Sequence, residues 1–250
     1  MKQLFILMRK DFMELYRTKK ILIIACVFII FALASPLLAY IMPDLFVSIG
    51  DTVIELPDAT IYDSYEVLVQ NINQIFTLAI IIAFGGLIAS EKKKGLYNIL
   101  INNGVKRWNF ITSKLKTQVS VVTAIFIISM LLFSLYNYVL FDSFFVTNSL
   151  MSFFALYVYL LFVIMLANFF SILFKSSLTS IFLAFATIML IALFELVSFG
   201  RYLPNHLLNL SLGIINDPSN FSYFWITVGT TFIIIFVLYF LTIKLCRNKD

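Results

Sequence analysis

Six apolar runs dominate this chain, and each is long enough to cross a bilayer. On a window of about 19 residues they fall at residues 21–42, 72–90, 118–140, 151–174, 178–199 and 223–243. A helix rises 1.5 Å per residue, so about 20 residues cover a hydrocarbon core of roughly 30 Å. None of the runs alternates polar and apolar residues, as a transmembrane barrel strand does. Charged residues are 12% of the chain against 62% hydrophobic, whereas soluble domains carry ~25% charged residues. The expectation is an all-α polytopic membrane protein of six transmembrane helices in a single domain. A disordered chain is excluded, because disorder needs low hydrophobicity and high net charge. The first run is too long for a signal-peptide core, lacks a small-residue cleavage pattern and precedes five more spans.

Charge placement gives the orientation. Lys and Arg concentrate in residues 1–20, in the 91–117 segment, at Lys175 and at the C-terminal Lys244, Arg247 and Lys249. Only Arg201 falls on the other side. Asp44, Asp51, Glu55, Asp58, Asp63, Glu66, Asp142 and Asp217 populate the opposite loops. Cytoplasmic loops carry the excess of basic residues. Both termini are therefore expected in the cytoplasm, with the chain multi-pass; the Ile-, Phe-, Lys- and Asn-rich composition points to an AT-rich bacterial source and hence to a bacterial cytoplasmic membrane.

Four segments flank the spans. Residues 1–20 predict an amphipathic helix: Phe5, Met8, Phe12, Leu15 and Tyr16 recur at spacings of three and four, with Arg9, Lys10, Glu14 and Arg17 mostly away from them. Such a helix lies in the membrane interface. Residues 91–117 predict a short helix carrying Leu96, Ile99 and Leu100, a turn at Asn103-Gly104, and a second helix from Val105 into the third span. Val105 and Trp108 are too apolar for a wet loop and suit insertion into a groove on a cytoplasmic partner. Residues 43–71 form an outer segment, either a small lid or an extended loop. Residues 200–222, also outer, suit a short interfacial or re-entrant helix.

Little chemistry is present in the spans. No phosphate-binding glycine loop occurs, His206 is the single histidine, and Cys26 and Cys246 have no accompanying ligands. No catalytic residues, metal ligands or cofactor are expected in this chain. Glu195, placed in the outer third of the fifth span, is costly in lipid; it binds a basic cargo group, pairs with Arg201 if the helix runs past Gly200, or stays protonated. Asn168 in the fourth span suits an interhelical hydrogen bond. Pro36 is expected to kink or end the first span. Gly85-Gly86 suits close helix approach or a bend in the second.

The layout resembles the ABC-2 type membrane-spanning subunits of ATP-binding-cassette exporters. The resemblance rests on the basic N-terminal helix, the six spans with both ends inside, and the semi-apolar segment before the last span. It rests also on the motif Glu91, Lys92-Lys93-Lys94, Gly95, Ile99-Leu100, Gly104-Val105-Lys106-Arg107 and Ser113-Lys114. Family members often carry Pro in the turn where this chain has Asn103-Gly104. The resemblance implies a type V exporter-like fold and an elbow helix (Phe5, Met8, Arg9, Phe12, Leu15); Glu195 and Asn168, the polar residues of the spans, are the candidates for a pathway or gate. The resemblance further implies an ATPase-coupling set of Glu91, Gly95, Leu96, Ile99, Leu100, Val105, Arg107 and Trp108. The implied partners are two cytoplasmic ATPase subunits, which would hold ATP and Mg, and a second permease chain, identical or related. Membrane lipid is a further partner; nucleic acid is not.

The bareness of the spans favours an amphipathic or lipophilic cargo over a sugar. An antimicrobial or toxin-like peptide is preferred, as in exporters of the phenol-soluble modulin or bacteriocin-resistance kind. Lipid or drug export is the alternative within the family. An ion-coupled secondary transporter or a non-transporting sensor are alternatives outside it.

Overall fold

The computed structural model describes residues 2–49, 59–195, 197–216 and 221–247. Described residues are helical or in short turns. Helix α1 spans Lys2–Arg17 and α2 spans Lys20–Ile49. Next come α3 (Ile61–Asn71), a π-helical turn at Ile72–Phe76, α4 (Thr77–Phe84), α5 (Leu87–Lys93) and α6 (Leu96–Asn102). Then follow α7 (Arg107–Phe141), α8 (Ser149–Leu173) and α9 (Ser177–Phe194). A 3-10 turn at Ser198–Tyr202 leads to α10 (His206–Asn216) and α11 (Phe221–Arg247). Among the described residues, six segments are long and apolar enough to cross a membrane: Lys20–Pro43, Ile61–Lys93, Arg107–Phe141, Ser149–Leu173, Ser177–Phe194 and Tyr223–Cys246. The chain is an all-α polytopic membrane protein.

Helix α8 is the centre. It packs against α4, α5, α7, α9, α10 and α11. Its Leu156, Tyr159, Val163 and Ala167 have no exposed surface. Around it, α2 lies along α7 and α3, and α1 lies across α7. Lipid does not drive helices together as water does, so polar pairs and close packing carry the specificity. Ser64 Oγ donates to Asn137 Oδ1 at 2.8 Å, and Gln118 and Asn168 exchange bonds at 3.2 and 2.5 Å. The Phe28 and Phe76 rings stack at 4.0 Å.

Several boundaries differ from the sequence expectation. The second span does not begin at residue 72. The Thr60 amide donates to Asp63 Oδ2 at 2.7 Å, a capping interaction that starts α3 inside the expected outer segment. Tyr65, Leu68, Val69 and Ile72 then bury one face of it. Of the 43–71 segment, residues 50–58 lie outside the described residues. The second helix of the basic segment runs into the third span as expected: α7 is continuous from Arg107 to Phe141, starting two residues after Val105. Pro36 neither ends nor breaks α2, which continues through Pro36 and Pro43 to Ile49. In the π-helical turn the Ile72 carbonyl accepts the Thr77 amide, five residues on, and Thr77 Oγ1 also donates to it at 2.8 Å. The 200–222 segment contains α10, whose Leu207, Leu208, Ile214 and Ile215 are buried.

Gly85-Gly86 produces both effects expected of it. It interrupts the second span between α4 and α5, and it lets α9 approach. A Cβ at Gly86 would sit 2.7 Å from Ser177 Cβ. Gly86→Val should therefore push α5 and α9 apart and lower stability by about 1–3 kcal/mol, the range for overpacking. A thermal melt of the purified chain in detergent checks this, with Gly229→Val on open surface as the reference.

Candidate functional site

The break at Gly85-Gly86 frees the first amides of α5. Ser171 Oγ on α8 accepts from the Ile88 and Ala89 amides at 3.0 and 3.1 Å. This side chain caps a short helix inside the bundle, and it fixes where α5 begins. One turn on, α5 delivers Glu91 into a buried cluster of charges. Glu91 is 1% exposed.

Three elements meet there. Lys10, Asp11 and Glu14 come from α1, Glu91 from α5, and Lys114 from α7. Lys10 Nζ donates to Glu91 Oε1 at 2.6 Å. Lys114 Nζ lies 2.9 Å from Glu91 Oε2, 3.3 Å from Asp11 Oδ1 and 3.8 Å from Glu14 Oε2. Ser113 Oγ donates to Asp11 Oδ2 at 2.8 Å. The three carboxylates converge within 4.8 Å, a spacing that would suit a cation, and the Lys114 ammonium fills that role. The Asp11, Glu14 and Glu91 set therefore does not fit a metal.

The electrostatics follow from burial and an excess of carboxylates. Burial disfavours the charge of Lys10, but its bond to Glu91 and the fields of Glu91, Asp11 and Glu14 outweigh that and raise it above its ordinary pKa. Burial pushes the Glu14 carboxyl up; Lys114 opposes the shift and the Glu91 charge adds to it. Desolvated charges are tolerated only when each has a close partner. The cluster thus ties α1, α5 and α7 into one unit.

Beyond the cluster the chain leaves the apolar spans. Gly95, at φ 73°, starts α6, and Gly104, at φ 80°, follows it; both lie in the left-handed region that glycine enters without strain. Helix α6 is held from below. Tyr97 Oη lies 3.2 Å from the Cys246 carbonyl and 3.0 Å from its Sγ. Leu100, Ile101 and Val105 pack against a small core of Ile88, Tyr97, Phe110, Ile111, Ile172 and Cys246. The opposite edge is open: Leu96 is 41%, Ile99 56% and Trp108 47% exposed. Trp108 also meets the Tyr239 ring edge-on at 5.5 Å.

The coupling set expected from the sequence is therefore divided. Leu96, Ile99 and Trp108 form an exposed apolar edge. Leu100 and Val105 are half-buried against the bundle, and Arg107 is half-buried at the start of α7. Glu91 is no surface contact; it belongs to the ion cluster behind α6. The elbow helix is also divided. Leu7, Asp11 and Leu15 are buried, Met8 is half-buried, and Phe5, Arg9, Phe12 and Tyr16 face outward. It therefore has a bundle face and an outer apolar face instead of the single apolar side expected. Glu14, expected on the polar face, takes part in the cluster.

At the opposite end of the bundle, α9 stops at Phe194, so Glu195 terminates the helix and lies outside the fifth span. The helical register that would bring Arg201 to Glu195 does not exist. Glu195 Oε1 instead lies 3.9 Å from His206 Nδ1 and 3.5 Å from Asn209 Nδ2. Burial and the Arg201 charge push His206 below its ordinary pKa. Asn168 is buried between α8 and α7, bonded to Gln118 and to the Ile164 carbonyl.

Fold and site define a multi-pass α-helical membrane protein with a short amphipathic helix outside its spans. Comparison of the sequence with protein-family models and with curated proteins gives no match.

Proposed function

We propose that the chain is the membrane-spanning permease of an ATP-binding-cassette exporter of the ABC-2 kind. A separate cytoplasmic ATPase would hydrolyse ATP, and the cargo would be amphipathic or hydrophobic, with a peptide favoured. The observation that carries this reading is α6. It is a short helix outside the apolar spans with Leu96 and Ile99 exposed, and Trp108 exposed just beyond it at the start of α7; its two arms run directly into spans through α5 and α7. A partner gripping that edge would move both arms. The Glu91–Lys114–Lys10 contacts would carry α1 along with them. Energetic coupling needs such an element, able to bias two arrangements from a distance.

The cargo assignment draws on the bundle's sides. An almost purely apolar groove of about 300 Å³ lies between α7, α8 and α11, lined by residues such as Val119, Ile164, Met165 and Phe236. A groove of that chemistry suits an aliphatic or aromatic segment better than a sugar. In this reading the basic end of the bundle faces the cytoplasm, as the lysine and arginine bias requires. The test is reconstitution of the chain with its cognate ATPase in vesicles. Amphipathic peptides should stimulate ATP hydrolysis severalfold, and sugars of similar size should not. Hydrolysis indifferent to the presence of the permease would count against the assignment.

A further inference from the structure

The basic end of the bundle holds a second feature, on the far side of α5 from the ion cluster. A cavity of about 640 Å³ opens between the end of α5, the start of α6, the α8–α9 turn and the end of α11. Lys92, Lys93, Lys175 and Asn98 line it, with Ile172 and Leu173 supplying apolar surface. Among the described residues no carboxylate lines it, in contrast to the neighbouring cluster, where carboxylates outnumber lysines. Lys92 is held in place: its Nζ donates to the Ile172 carbonyl at 3.0 Å and sits 5.5 Å from the Tyr97 ring centroid.

Its position in the membrane is set by α8 and α9. Both are spans, and residues 174–176 form the turn between them, so the cavity lies where the apolar surface begins. One turn beyond Lys175, α9 presents Leu178, 79% exposed, and then Phe182, 71% exposed. The lysine-lined cavity is thus followed along the chain, from Lys175 into α9, by an outward apolar stripe. That pairing of chemistries matches a lipid with an anionic head, and basic pockets between helices at the membrane surface bind such heads.

We propose that this cavity binds the phosphate-bearing headgroup of an anionic membrane lipid, with the acyl chains lying along the Leu178–Phe182 face of α9. The Lys93 and Lys175 ammonium groups neutralise and hydrogen-bond the phosphate, Lys92, held on the Ile172 carbonyl, adds its charge, and Asn98 adds a neutral donor. The inference rests on the membrane-spanning class of the chain and not on the identity of any ATPase.

The test uses the full chain in detergent micelles, titrated with dioleoylphosphatidylglycerol, dioleoylphosphatidylcholine or glycerol 1-phosphate, with bound lipid counted by native mass spectrometry. Wild type should prefer phosphatidylglycerol by at least about tenfold, since each lysine at a membrane surface contributes about fivefold. The variant Lys92→Gln/Lys93→Gln/Lys175→Gln should lose most of that preference. A control of equal charge loss at the same end, Lys94→Gln/Lys106→Gln/Lys116→Gln, should keep it. The single exposed change Lys175→Gln should weaken it about fivefold with an unchanged melting temperature. Four results would overturn the proposal. They are no headgroup preference in wild type, equal loss in the control, and glycerol 1-phosphate binding as tightly as the lipid, which would mark a site for soluble phosphate. The fourth is an intact lipid preference in the pocket variant accompanied by lost binding of a cytoplasmic protein partner.

Discussion

Lys114→Met is expected to destabilise the folded chain by about 3–5 kcal/mol, the cost of leaving buried charges without their partner. Lys114 is 2% exposed and its ammonium faces Asp11, Glu14 and Glu91 together. Methionine keeps the length and the packing against Phe110, whose ring centroid lies 5.5 Å from the ammonium, but it leaves three carboxylates facing Lys10 alone. The loss should be local first. This cluster ties α1 to α5 and α7, so α1 should become accessible to protease before the spans unfold. Adding Glu91→Gln should restore part of the stability, because it removes one of the stranded charges. Lys116→Met, on exposed surface two residues away, should change stability by no more than about 0.5 kcal/mol. Thermal unfolding in detergent and limited proteolysis read both quantities.

On the proposed reading, Leu96→Asp/Ile99→Asp is expected to weaken binding of a cytoplasmic ATPase while leaving the chain folded. Both side chains are exposed, so neither substitution opens a cavity or buries a charge, and the melting temperature should stay within the range of ordinary surface changes. In an interface the same two positions would be desolvated anchors. Truncating one such anchor costs about 2 kcal/mol or more, and an aspartate brings an unpaired charge as well. A drop in affinity of at least about a hundredfold follows. Leu100→Asp is the instructive contrast. Leu100 packs against the core beneath α6, so its change should lower stability, and any loss of binding would be secondary to that.

Much of this organisation was legible in the sequence. The spans follow from runs of apolar residues, and the turn at Asn103-Gly104 and the short helix before it follow from local chemistry. The start of the second span was missed because Asp63, Glu66 and Gln70 make Ile61–Asn71 look like a loop. The signal was there in Thr60 and Asp63 at capping spacing, followed by Tyr65, Leu68, Val69 and Ile72 at helical spacing. The ion cluster was not legible. Its members are spread from Lys10 to Lys114, and no local pattern joins them. The available hint was two carboxylates, Asp11 and Glu14, in an otherwise basic N-terminal helix. A carboxylate there is out of place for membrane attachment and in place for meeting Lys114. The fate of Glu195 depended on where α9 ends, and its composition stays apolar through that point, so the spacing to Arg201 suggested a contact that the helix end removes.

The most direct test of the central claim is the affinity of the cognate cytoplasmic ATPase for this chain in nanodiscs, measured for wild type and for Leu96→Asp/Ile99→Asp at equal thermal stability. Saturable binding to wild type, weakened at least about a hundredfold in the variant, is the result expected if α6 is the seat of the motor. Equal binding to both chains, or no ATPase binding to wild type at all, would contradict the account.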